Sequence, residues 1–419
     1  MEENEKMKIG KTFLLGFGFL GISIIWPLYN SYVPIFLKGN FGLSSTAIGV
    51  IMTIDNVFAV ILLPFLGALS DKTVSVLGRR RPYILIGAPL AMVFFSLLPF
   101  AAQRGPLLLL MSTIILLNLS MALYRTPVIA LMPDITPSKY RSRANGIINF
   151  MGGVGALIAF FGGKALYDKN VCYPFIAGGI FMFIACILVV IFMNEDKSAD
   201  PAETGGNSFI LKDSIRSLTQ NLKDVITGEK SLLFILLAIF FWFVGFNSIE
   251  TFFTSYAKFY LGMKESTGGL ILGFYSLSFM LFAIVSGIIG MKWNRNNTIK
   301  LGLFLLVIIV PTVALFKEFV PLAILFALAG ISWSLVNVNS LPMVVDMTIP
   351  EKVGGFTGLY YFFSQLANIV SPPVAGFIID LSTKNGEKPS GYISLLVFSS
   401  TLFLVSLIIM FFVKRGEAK

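Results

Sequence analysis

Polar residues interrupt this chain at intervals that suit one kind of element. Apolar runs recur from residue 12 to residue 413. Each is close to the ~20 residues a helix needs to cross ~30 Å of hydrocarbon. Setting runs against breaks predicts helices over 12–37, 46–70, 82–102, 106–131, 144–166, 173–193, 231–257, 267–290, 299–316, 320–345, 355–380 and 391–413. The first follows a short charged stretch, 1–11, and lacks the small-residue site that closes a signal peptide, so it is read as a retained helix. The expected fold class is an all-α polytopic membrane protein of twelve transmembrane helices.

The longest polar stretch, 194–230, divides the helices six and six. It opens with NEDKSADPAETGGNS, which reads as a flexible linker. Its remainder sets Phe209, Ile215, Leu218, Leu222 and Val225 at near-helical spacing, predicting an amphipathic helix on the membrane face. The organisation expected is a six-helix bundle over 1–193, a linker with this helix over 194–230, and a second bundle over 231–419. The halves repeat each other. Asp134-Ile-Thr and Asp346-Met-Thr stand 212 residues apart, and the same offset relates Gly146 to Gly358 and Asp168 to Asp380. A direct repeat of an even number of helices gives two halves of like orientation about an axis along the membrane normal. Two fused halves enclosing a pathway suit alternating access by a monomer, whereas channels are more often rings of identical subunits.

Composition rules out a soluble domain. Of 419 residues, 56% are hydrophobic and 13% charged, with mean hydropathy +0.83, more apolar surface than a soluble core can bury. The net charge of +10 invites a nucleic-acid reading, but the basic residues stand in short loops, where they set orientation. Loops on the side of the N-terminus hold 22 Lys and Arg, and the opposite loops and helix ends hold nine. That excess predicts both termini in the cytoplasm of a cell-membrane protein. Cys172 and Cys186 have no metal-ligand spacing. There is no histidine, so proton coupling would run through carboxylates. No GxxxxGK[ST], HExxH or CxxC occurs. The reading is therefore no enzyme, no metal, no cofactor beyond a coupling cation, no nucleic acid, and the lipid bilayer and a small solute as partners.

Two stretches resemble a known family. Gly67-Ala-Leu-Ser-Asp71 followed by Gly78-Arg-Arg-Arg-Pro82 resembles the loop between helices two and three in the major facilitator superfamily. The fuller LSDKTVSVLGRRRPYILIG is similar to the version in sucrose transporters and their relatives in the glycoside–pentoside–hexuronide:cation symporter clan. Tyr124-Arg-Thr-Pro, Ala130-Leu-Met-Pro-Asp134 and Arg141-Ser-Arg-Ala-Asn-Gly146 resemble the Arg-containing fourth helix and following loop of those carriers. The resemblance implies two six-helix halves in the major facilitator fold and secondary transport of a disaccharide or other glycoside by cation symport, with a proton favoured over sodium. There are departures. Asp55 stands where plant sucrose transporters have a small residue, and the paired acidic residues of melibiose-type permeases lie at a different phase, so their ion site is not carried over. The same scaffold serves lysolipid, drug and other amphiphile carriers, and a non-transporting sensor is the alternative of another class.

Charges deep in a span are costly and ask for a partner or a cavity. Asp55 in helix two, Arg125 in helix four and Glu250 in helix seven are such groups. Asp55 or Glu250 is the expected proton carrier and Arg125 a substrate or counter-charge ligand, against the plainer reading of a static Asp–Arg pair joining two helices. Substrate contacts are further expected from Trp26 and Asn30 in helix one, Asn247 in helix seven, Asn337 in helix ten and Gln365 in helix eleven. Trp242 and Thr254 fall within the broad face of Asn247 and Glu250 by their offsets. Asn339 and Asn368 are weaker candidates of the same kind, since buried amides also join helices without any substrate. Asp71 and Arg79, and Asp134 with Arg141, are read as gating pairs, Arg80 and Arg81 as orientation signals. Asp346 has Val353 where an arginine would match Arg141, so a lock is expected to be stronger in the first half. The glycines over 146–163 predict close packing of helix five.

Overall fold

The computed structural model describes residues 9–136, 140–192, 230–347, 353–383 and 390–416. Among them are twelve helices long and apolar enough to cross a membrane, and no strand. They run over Thr12–Phe41, Ser45–Lys72, Arg81–Arg104, Leu107–Met132, Ala144–Tyr167, Tyr173–Phe192, Lys230–Tyr260, Glu265–Trp293, Arg295–Leu315, Phe319–Val345, Val353–Ser382 and Gly391–Met410. Hydrocarbon supplies no hydrogen-bond partners, so each spanning backbone must satisfy itself, and the helix is the local solution. Most observed ends lie a few residues beyond the predicted ones, because helical bonding continues into polar flanks that hydropathy excludes. The amphipathic helix expected in 194–230 falls, but for Lys230, outside the described residues. Large apolar side chains stand on outward faces, Ile61 at 62% exposure and Ile284 at 76% among them. Such surface belongs against lipid tails, and the chain is a multi-pass membrane protein.

The chain forms two compact units. One comprises Met1–Gly42 and Ile54–Gly205, the other Leu43–Thr53 and Gly206–Lys419. In the first, the first span packs along the fifth and sixth, and the third along the fourth. Glycine sets these approaches. A Cβ on Gly155 would stand 2.4 Å from the Leu20 carbonyl, and one on Gly87 2.7 Å from the Tyr124 amide. The glycine tract of the fifth span thus packs, within its unit, against the first span. Tyr32 stacks on Tyr167 at 4.2 Å, and Phe175 fills the space beside Phe95. The Tyr124 hydroxyl donates to the Gly18 carbonyl at 2.9 Å, tying the fourth span to the first.

In the second unit the seventh span packs against the eleventh and twelfth, and the eighth against the tenth. Small polar residues stitch these contacts. Ser371 donates to the Val244 carbonyl at 2.8 Å and lies 2.9 Å from the Ser248 hydroxyl. Asn339 donates to the Ser286 and Leu335 carbonyls, joining the tenth span to the eighth. Bonds of this kind contribute about 0.6 kcal/mol each. The second span is broken at Thr53. Its leading piece, Ser45–Met52, belongs to the second unit, while its trailing piece, Ile54–Lys72, belongs to the first.

Candidate functional site

The break at Thr53 decides where Asp55 sits. A helix restarts at Ile54, so Asp55 lies in its first turn, where unsatisfied N–H groups favour a carboxylate. Asn56 donates to its Oδ1 at 3.0 Å. Arg125 and Tyr29 are both within electrostatic reach of the Asp55 carboxylate. The first unit therefore gathers Asp55 and Arg125. Arg125 is half-buried nearly three turns from the end of a long helix, Leu107–Ile135, and the Asp55 charge compensates its own. Trp26 stands edge-on to Tyr29, ring centroids 5.8 Å apart. The buried Trp26 Nε1 meets no hydrogen-bond partner among the described residues. Asn30, the next residue, is half-buried.

Asn118 joins this group and was missed in the sequence. It is 3% exposed, near Tyr29, and its amide donates to the Ile114 carbonyl at 2.9 Å. The signal was present: Asn118 lies seven residues before Arg125, two turns along the same helix face.

The second unit carries the other predicted residues. Asn247 donates to the Asn368 amide oxygen, and Asn368 in turn donates to Gln365 Oε1 at 3.2 Å. This row of three amides links the seventh span to the eleventh. Glu250, three residues beyond Asn247, acts electrostatically on Tyr275 of the eighth span, whose buried hydroxyl meets no hydrogen-bond partner among the described residues. Phe246 stacks on Trp333 at 4.4 Å and tilts against Tyr275 at 5.6 Å, giving this region an aromatic wall. Asn337 accepts a 3.4 Å bond from the Tyr360 hydroxyl. Trp242 and Thr254, expected on the face of Asn247 and Glu250, are both 0% exposed and belong to the packed core. Asn339 is likewise buried in helix-to-helix bonds.

The loop arginines sort differently from the sequence reading. Arg80, taken as an orientation signal, is the central one. It forms ion pairs with Asp71 and, at 3.1 Å, with Asp134, and donates to the Ser70 hydroxyl at 2.5 Å. Arg79 reaches Asp134 at 3.4 Å. Asp134 therefore meets Arg79 and Arg80, and the side chain of Arg141 lies outside the described residues. Asp346 does have an arginine: Arg295, from the start of the ninth span, forms the pair that Val353 could not. The repeat preserves the ion pair and also the place its cation comes from, the junction between the second and third spans of each half.

A model of the Major Facilitator Superfamily matches residues 13–372. Among curated relatives, a class H tetracycline resistance protein of Pasteurella multocida is 25% identical, covering 68% of this chain and 67% of that protein. Multidrug resistance protein 2 of Bacillus subtilis (strain 168) is 22% identical over 92% of this chain and 91% of its own. Among solved structures, the nucleoside transporter NupG superposes with a TM-score of 0.76 at 13% identity, covering 96% of this chain and all of that one.

Proposed function

Since the chain belongs to the Major Facilitator Superfamily, we propose that it moves a polar, hydroxyl-rich solute such as a glycoside or disaccharide by cation-coupled alternating access. It is a transporter and not an enzyme. The observation that carries the finer reading is the division of polar groups. One unit holds a carboxylate and a guanidinium in electrostatic contact, Asp55 and Arg125. The other holds the amide row Asn247–Asn368–Gln365 with Glu250 in the same helix. Amides and a guanidinium are the donors that sugar hydroxyls meet, and aromatic faces take the apolar side of a ring. A purely structural bundle would gain stability from apolar residues at these positions. Asp55 and Glu250 are the proposed proton carriers, Arg125 the ligand or counter-charge whose pairing with Asp55 changes as a proton loads.

A proton is favoured over sodium, because no group of three or more acidic, Cys or His side chains that could hold an ion occurs among the described residues. The excess of Lys and Arg in one set of loops supports a cell-membrane location with both termini cytoplasmic. One chain holds both halves, which supports a monomer. A second reading has its own support: the wall of Phe246, Trp333 and Tyr275 beside Glu250 suits an apolar cation, and two relatives are named for drug resistance. On that reading the chain exports an amphiphile.

The deciding experiment reconstitutes the protein into proteoliposomes and measures uptake of a labelled panel of disaccharides, glycosides, nucleosides and cationic dyes. Proton and sodium gradients are imposed separately. Sugar accumulation driven by a proton gradient is the expected result. Movement of dyes alone would transfer the site to the second reading, and accumulation under neither gradient would refute coupled transport.

A further inference from the structure

The leading piece of the second span, Ser45–Met52, is eight residues long, too short to be stable by its own hydrogen bonds. Three features of the second unit hold it. The first is a carboxylate: the Ser45 amide donates to Asp380 Oδ1 at 2.8 Å, the Thr46 amide to Oδ2 at 2.7 Å, and the Thr46 hydroxyl to Oδ2 at 2.7 Å. Ser44 Oγ accepts from the Ala47 amide at 3.1 Å. A negative charge at a helix N-terminus, bonded to free N–H groups, is its most favourable neighbour.

The second feature is backbone contact. A Cβ on Gly49 would stand 2.1 Å from the Pro372 carbonyl, and one on Gly376 would stand 2.1 Å from the Ser45 carbonyl. Each helix thus offers a glycine to the other's backbone. The third lies at the opposite end of the piece. Pro373 has no N–H to donate to the Ile369 carbonyl, four residues earlier. The Thr53 hydroxyl lies 3.1 Å from that freed oxygen and 3.0 Å from the Gly49 carbonyl. The span breaks at this residue, and Asp55 follows two positions later.

We propose that Asp380 is a releasable latch: its carboxylate clamps the leading piece of the second span onto the eleventh span, and Thr53 is the hinge about which the piece leaves. The latched piece is followed directly in the chain by the helix that carries Asp55. The inference concerns the second unit's own contacts and holds whatever the solute.

The test uses the full-length protein in proteoliposomes with Cys172→Ser and Ile48→Cys. Ile48 is 1% exposed in the docked piece, while Cys186 is 0% exposed in the sixth span and serves as an internal reporter of general loosening. The rate of labelling by a water-soluble maleimide is read at both sites. Asp380→Ala should raise the rate at position 48 at least tenfold with Cys186 silent, and Thr53→Val, which keeps the carboxylate, should raise it severalfold. An unchanged rate in Asp380→Ala overturns the latch. Should Asp380→Ala expose Cys186 as well, Thr53→Val decides: labelling at position 48 alone supports the hinge, and no change refutes it.

Discussion

Replacing Arg80 by methionine asks which of three consecutive arginines holds the loop between the second and third spans. The Arg80 side chain is 6% exposed and meets the Asp71 and Asp134 carboxylates, the Ser70 hydroxyl and, at 3.4 Å, the Gly67 carbonyl. Removing one member of a buried ion network costs about 3–5 kcal/mol when the charges left behind stay buried. Here Asp71 and Asp134 keep 35% and 21% exposure, so water replaces part of the guanidinium's contribution. Ser70 keeps its 2.8 Å bond to Gly67, and no hydroxyl is orphaned. The loss from this geometry is about 2–3 kcal/mol. The Arg79–Asp134 pair, at 3.4 Å with side chains 27% and 21% exposed, is worth no more than about 1 kcal/mol. The assay is reversible unfolding in mixed micelles of rising SDS fraction, for Arg80→Met, Arg79→Met and each combined with Asp134→Asn. The folded-to-unfolded ratio should fall roughly 30- to 140-fold for Arg80→Met, at 1.4 kcal/mol per tenfold, and at most a few-fold for Arg79→Met. If Arg79→Met costs as much as Arg80→Met, or Arg80 and Asp134 show no coupling in the double-mutant cycle, the reasoning is refuted.

Three further outcomes are expected. Asp55→Asn and Arg125→Gln should each lower the melting temperature, and the double change should restore part of it while transport stays lost; recovery of transport in the double would leave only a structural pair. Gly330→Ala places a Cβ 2.2 Å from Ser278 Oγ and 2.2 Å from the Tyr275 carbonyl, an overpacking that should cost about 1–3 kcal/mol. Gly146→Ala, whose Cβ meets nothing within 4 Å, should stay within about 0.5 kcal/mol of the parent, and equal melting temperatures for the two would contradict the packing described. Burial raises the Cys172 thiol above its ordinary range, with the nearby Arg104 pulling the other way. The thiolate is the reacting form, so maleimide labelling at Cys172 should be slow at neutral pH and reach half its maximum at a higher pH than an exposed cysteine does; a profile shifted to lower pH would contradict this.

The twelve spans were legible in the sequence because a hydrocarbon-crossing helix is a local object, set by twenty neighbouring residues and the absence of charge. Asp55 and Arg125 were legible for a related reason, since a charge in such a run advertises its need for a counter-charge. Even Asn118 was within reach, at helical spacing from Arg125. Tertiary structure decided what depends on a partner from elsewhere in the chain. Arg79 read as the gating arginine and Arg80 as an orientation signal until the fold put Arg80 between Asp71 and Asp134. Asp346 looked solitary until the ninth span delivered Arg295. Trp242 and Thr254 share a broad face with Asn247 and Glu250 by offset, yet neighbouring spans cover the first two and leave the others half-buried. The assignment of Leu43–Thr53 to the second unit had no local signature, because it rests on Asp380 and on glycines more than 300 residues away or facing a distant backbone. A helix states its own length and polarity; what touches its sides is written in the other helices.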